Sequence, residues 1–207
     1  MHILFEWTIC YLLPAILTLI VAHHFSEKKK HGALRGNLAH TPVVTFLLHL
    51  GLLMSIALSQ YFIYQHGENF PINNHPNSIA FLIVSIALAY KHIGQFSLLY
   101  ALSSLIQELT MLSGAYLLLL DLPLWQVSLL IVPLYSAAHL TQLKHWQIKI
   151  PLTALWGFIS VLLFSRYYDL YVNVAVHTLV GALLISEGVI YHKTSYKIDG
   201  KLEENEF

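Results

Sequence analysis

Apolar residues run along this chain in blocks of about twenty, separated by short polar stretches. A helix needs about twenty such residues to cross the hydrocarbon core of a bilayer. The pattern predicts seven transmembrane helices, over about 3–22, 42–64, 78–91, 95–120, 124–142, 150–165 and 169–191. The stretch QHGENFPINNHPN after the second carries the Pro and Asn residues that mark turns. DLP at 121–123 ends the fourth, and KIDGKLEENEF closes the chain as a charged tail. The expected fold is therefore all-α: one polytopic membrane bundle over 1–195, followed by a cytoplasmic tail over 196–207.

Composition supports that class. Apolar residues make up 57% of the chain and charged residues 11%, with mean hydropathy +0.62. A soluble domain carries about 25% charged residues. Formal net charge is zero, so no basic surface for nucleic acid is indicated. Cys10 is the single cysteine and makes no internal disulfide. The first apolar run lacks a basic leader and a small-x-small cleavage site, so it is expected to be a retained span. Ten of the eleven Lys and Arg residues fall on one side of the seven-span map, and only Arg166 falls on the other. The positive-inside rule then puts the N-terminus outside and the C-terminus in the cytoplasm, as in a bacterial inner-membrane protein.

Polar groups at bilayer depth carry the candidate chemistry. The fourth span holds Gln107 and Glu108, the fifth His139, and the seventh His177. An ionised carboxylate in hydrocarbon costs at least about 2.5 kcal/mol, so such groups face the bundle interior and pair with one another. A carboxylate and two imidazoles on three helices are able to activate a water, bind a metal, or hold a haem. His139 with His177, or His49 with His92, are the candidate haem pairs. The alternative for each histidine is a hydrogen bond between helices. H-E-x-x-H, the G-x-S-x-G elbow and phosphate-loop motifs are all absent. Ser103, Ser104 and Ser113 suit close helix packing.

The order of these groups resembles the CPBP family, the CAAX-protease and bacteriocin-processing intramembrane peptidases. That family carries E-E-x-x-x-R, then F-x-x-x-H, then H-x-x-x-N. Here IQELTMLSG, LYSAAHL and NVAVHTLVG stand at the three positions, and the resemblance covers about residues 96–186. Its paired glutamates fall on Gln107 and Glu108, and its arginine on Leu112. Its Phe and His fall on Tyr135 and His139, and its second His and Asn on His177 and Gly181. The resemblance implies metal-independent hydrolysis of a membrane-associated peptide or protein terminus, with no cofactor. Water is activated by glutamate and histidine, and the oxyanion is held in a dry cavity where donors act strongly.

A carboxamide at Gln107 cannot take water's proton, so three readings follow from the resemblance. The chain is an inactive Glu→Gln form, or Glu108 is the base. On the first, Gln107→Glu is expected to raise hydrolysis. A non-catalytic relative that binds a partner helix is the third. Asn173, one helical turn before His177, is a candidate for the missing amide donor. With straight helices Gln107 and His139 differ in depth by about 10 Å. A break before Leu105, or a fifth helix reaching Trp146, is expected to reduce that mismatch.

Overall fold

The computed structural model describes residues 2–27, 42–73, 75–138 and 146–187. Among these there are seven helices and no strand. They are α1 (His2–Glu27), α2 (Pro42–Gln65), α3 (Pro76–Ile93), α4 (Phe96–Leu119), α5 (Leu124–Ala138), α6 (Trp146–Tyr167) and α7 (Leu170–Ser186). Each predicted apolar block is thus a helix. Three of them, 76–93, 96–119 and 150–167, are long and apolar enough to cross a membrane.

The boundaries differ where polar residues continue a helix beyond its apolar block. α1 extends through His23, His24 and Ser26 to Glu27. α6 begins at Trp146 and includes Gln147 and Lys149 before its apolar run. Trp146 is the first described residue of α6. α4 is helical throughout, with no break before Leu105. The expected break before Leu105 is therefore absent, and the expected extension of α5 falls on 139–145, outside the described residues.

Caps fix several ends. Pro76 occupies the first turn of α3, where a missing N–H costs nothing, and His75 accepts from the Asn77 amide. Gly94 ends α3 at φ +58 and donates its amide to the Tyr90 carbonyl. Asp169 caps α7 by accepting from the Val172 amide at 3.1 Å. Its other oxygen accepts from the Ser78 hydroxyl at the start of α3. At the opposite ends of the same two helices, Ser186 meets His92 at 3.3 Å. α3 and α7 therefore lie side by side and parallel.

α4 is the central helix and packs against each of the other six. Residues 110–115 are all buried, so this part of the helix has no lipid-facing or solvent-facing side. Close approach requires small residues. Gly114 receives the Tyr11 phenol, whose hydroxyl donates to the Thr110 carbonyl. Gly181 on α7 receives the phenol of Tyr100 from α4. Any side chain at either glycine would overlap the tyrosine.

The distribution of side chains is inverted relative to a soluble protein. Ser55, Ser104, Ser113, Ser160, Glu108, Asn173 and Thr178 are buried, while Leu98, Leu99, Ile83, Leu129 and Leu155 face outward. At one end of the bundle the segment after α2 folds back over α4 and α6. Phe70 stacks on Phe164 at 5.2 Å and meets Tyr116 edge-on at 5.9 Å. The Asn73 amide donates to the Tyr168 carbonyl at 2.9 Å.

Candidate functional site

Glu108 is the anchor of the interior. It sits halfway along α4 with its side chain 0% exposed. Three helices supply its partners and its own anchorage. Trp156 on α6 donates its indole N–H to Oε1 at 2.7 Å. Ser160, one turn further along α6, donates its hydroxyl to Oε2 at 2.6 Å. His177 on α7 places Nδ1 2.7 Å from Oε1. Side chains from α4, α6 and α7 thus meet around one carboxylate.

Proton positions follow from the inventory of donors. An indole N–H can only donate. The Ser160 hydroxyl is directed to Glu108 because the Asn173 amide donates to the Ser160 oxygen at 3.0 Å. Asn173 also donates to the Ser160 carbonyl at 3.1 Å. Glu108 therefore accepts at both oxygens, as a carboxylate does. With Glu108 as a carboxylate, His177 completes the set by donating Nδ1–H to Oε1. Its other ring nitrogen, Nε2, is then the unprotonated one in the neutral imidazole. The His177 side chain is 12% exposed, so the ring is not sealed off as Glu108 is.

Aromatic rings enclose this pair. Trp156 packs on His177 with centroids 5.8 Å apart, and Tyr100 meets it edge-on at 6.3 Å and 82°. Tyr100 and Tyr135 both lie within electrostatic reach of Glu108. Tyr135 is seated against Gly157 on α6, 3.1 Å from where a β-carbon would stand.

The sequence-derived candidates distribute unevenly over this arrangement. Glu108 and His177 meet directly, and Asn173 supports them through Ser160. Tyr135 borders the same region. His139 lies outside the described residues. Gln107 takes a separate course: its amide donates to Ser103 at 3.1 Å, and the Ser103 oxygen lies 3.3 Å from His49 Nε2 on α2. Successive helical residues point about 100° apart, which separates the adjacent Gln107 and Glu108 into different polar groups. Leu112, where the resemblance places an arginine, is buried in the apolar core. Gly181, where it places an asparagine, is the seat of Tyr100. His49 and His92 belong to different contacts, with Ser103 and with Ser186.

Sequence reasoning missed Trp156, Ser160 and Tyr100. A signal existed for the first two, since they stand four apart on one face of an apolar helix. Tyr100 stands eight residues before Glu108, two turns along the same face of α4. Among the described residues no group of three or more His, Cys, Asp or Glu side chains is placed to hold a metal ion. The chain matches no family model, no curated protein and no solved structure.

Proposed function

We propose that this protein crosses the membrane seven times and is a metal-independent intramembrane peptidase of the CPBP kind. Its N-terminus is outside and its C-terminus cytoplasmic, in a bacterial inner membrane. It acts on a membrane-associated peptide or protein terminus. The observation that supports this reading best is the buried Glu108–His177 pair, held from three helices.

A carboxylate fixed on Nδ1–H orients the imidazole and stabilises its protonated form, the arrangement that makes histidine an effective general base. His177 Nε2 takes a proton from water, the water oxygen bonds the peptide carbonyl carbon, and the C–N bond breaks as the proton passes to the leaving amine. Glu108 acts through the imidazole, because both of its oxygens are engaged. The orientation rests on the charge bias, with Lys28, Lys29, Lys30 and Arg35 between α1 and α2, and Lys91 in the last turn of α3.

One observation favours a second reading. Gln107, Leu112 and Gly181 stand where the family carries glutamate, arginine and asparagine, and none of the three residues contributes a side chain to the Glu108 network. A non-catalytic relative would keep the network to hold α4, α6 and α7 together and bind a partner helix.

The deciding experiment presents the full-length protein in lipid nanodiscs with a pool of membrane-anchored peptides, both lipidated C-termini and leader-bearing precursors. Products are read by mass spectrometry. The peptidase reading expects defined cleavage by the parent and none by His177→Ala. No product from the parent, or the same product from His177→Ala, defeats it.

Gln107→Glu is a separate check on the geometry. The new carboxylate would stand beside Ser103 and across it His49, away from His177. Cleavage is expected to stay at the parent's level. A gain approaching the roughly 10²–10⁴-fold worth of general-base assistance would instead make position 107 the base.

A further inference from the structure

Ser55, Thr110, Ser113 and Ser136 are buried hydroxyls that find a partner on their own helix, each donating to the carbonyl four residues back. Ser85 on α3, Ser104 on α4 and Thr178 on α7 do not. All three are 0% exposed, and their hydroxyls have no hydrogen-bond partner among the described residues. A buried hydroxyl without a partner is costly, the more so where lipid supplies no water in its place.

The three lie at one height in the bundle. Ser78 bonds Asp169 where α3 and α7 begin, and Ser186 meets His92 where they end. Ser85 stands midway between Ser78 and His92, and Thr178 midway between Asp169 and Ser186. α4 runs back from the turn at Gly94, with Ser85 nine residues before that glycine and Ser104 ten after it. At a helical rise of about 1.5 Å per residue, both stand about 14–15 Å from the turn. The contacts between α4 and α7 give the same level. Ser104 is midway between Tyr100, which meets Gly181, and Glu108, which meets His177, and Thr178 falls between those two partners.

They also face a common seam. α3 packs against α7 and α4, and it turns Ser85 and Ala89 inward while Ile83, Val84 and Leu88 point outward. On α4, Ala101 and Ser104 share the buried face that carries Glu108. On α7, Thr178 and Ala182 form the buried face next to that of His177. Small side chains therefore line the seam on all three helices, as close packing in a membrane requires.

We propose that Ser85, Ser104 and Thr178 bind one internal water, which ties α3 to the two helices that carry Glu108 and His177. An internal water makes about three hydrogen bonds to buried groups that otherwise have no partner. Three hydroxyls from three helices supply that number, since each can donate or accept. The site is independent of the peptidase reading.

A high-resolution structure of the full-length protein in lipid is expected to show one peak about 2.7–3.0 Å from all three hydroxyl oxygens. Hydroxyls turned to carbonyls of their own helices, with no peak between them, would overturn the assignment. So would a peak with shorter contacts together with an unfolding midpoint that depends on Na⁺ or K⁺, which marks a cation.

Stability gives a second readout whose sign decides. Ser85→Ala, Ser104→Ala and Thr178→Val each remove one hydroxyl at nearly constant shape. With the water bound, each is expected to lower the thermal midpoint in nanodiscs by about 2–4 °C, the effect of one lost hydrogen bond in a chain of this size. The triple variant should fall by clearly less than the three shifts added, because the water is lost only once. Midpoints that hold or rise, with shifts that add, would show hydroxyls that hold no water and would sink the proposal.

Discussion

Replacing Glu108 with alanine is expected to cost about 3 kcal/mol of stability, more than any other single change at this site. Three donors lose their acceptor at once: the Trp156 indole, the Ser160 hydroxyl and His177 Nδ1. A buried donor left unpaired costs roughly 1–3 kcal/mol in a soluble protein. In a membrane bundle the figure is nearer the lower end, because the unfolded chain in lipid also finds partners. About 1 kcal/mol for each of three donors gives the estimate. Water cannot repair the loss readily, because Glu108 and Ser160 are both 0% exposed. Denaturant titration of the purified protein in mild detergent should show the midpoint fall. Ser160→Ala should fall by less, since Trp156 and His177 keep their acceptor. A Glu108→Ala midpoint equal to the parent's would mean that the network is not what holds α4, α6 and α7 together.

That dependence explains which parts of the molecule were legible from sequence. Helices were, because each apolar block is one continuous run, and three of them have the length and apolar character that a membrane span requires. Glu108 and His177 were legible, together with His139, as polar groups expected to converge, because charge at depth demands a partner, and His139 lies outside the described residues. The face of α4 that Gln107 occupies was not. Adjacent residues on a helix point in different directions, and only the positions of α2 and α7 decide which one meets His49 and which meets His177. Trp156 and Tyr100 escaped notice for another reason. An aromatic residue in a membrane segment reads as apolar, and its single polar atom gains meaning only when a neighbouring helix brings an acceptor or a glycine notch to it. The ends of α1 and α6 were misjudged because hydropathy tracks the bilayer, whereas a helix continues through polar residues until something stops it.

Glu108→Gln should behave quite differently from Glu108→Ala, and the contrast isolates charge from packing. A carboxamide is isosteric with the carboxylate. Its oxygen can accept from both Trp156 and His177, which share Oε1 in the parent. Its amide then turns toward Ser160, whose oxygen accepts, and Asn173 turns its own carbonyl to the Ser160 hydroxyl at the cost of its bond to the Ser160 carbonyl. The fold should therefore survive with a midpoint lowered by about one hydrogen bond, roughly 1 kcal/mol, well short of the loss in Glu108→Ala. What disappears is the negative charge facing His177. As Nε2 takes a proton from water the ring becomes an imidazolium, and Glu108 is the carboxylate hydrogen-bonded to it. Amidating the corresponding carboxylate of the serine-protease triad lowers kcat about 10⁴-fold. In this site a fall in kcat of about 10²–10⁴-fold is expected, with KM nearly unchanged because Glu108 touches the histidine and not the substrate. His177→Ala should be about as damaging, and the double variant no worse than either, since the two residues act as one unit. A Glu108→Gln protein that folds and turns over at the parent's rate would remove the dyad from the mechanism.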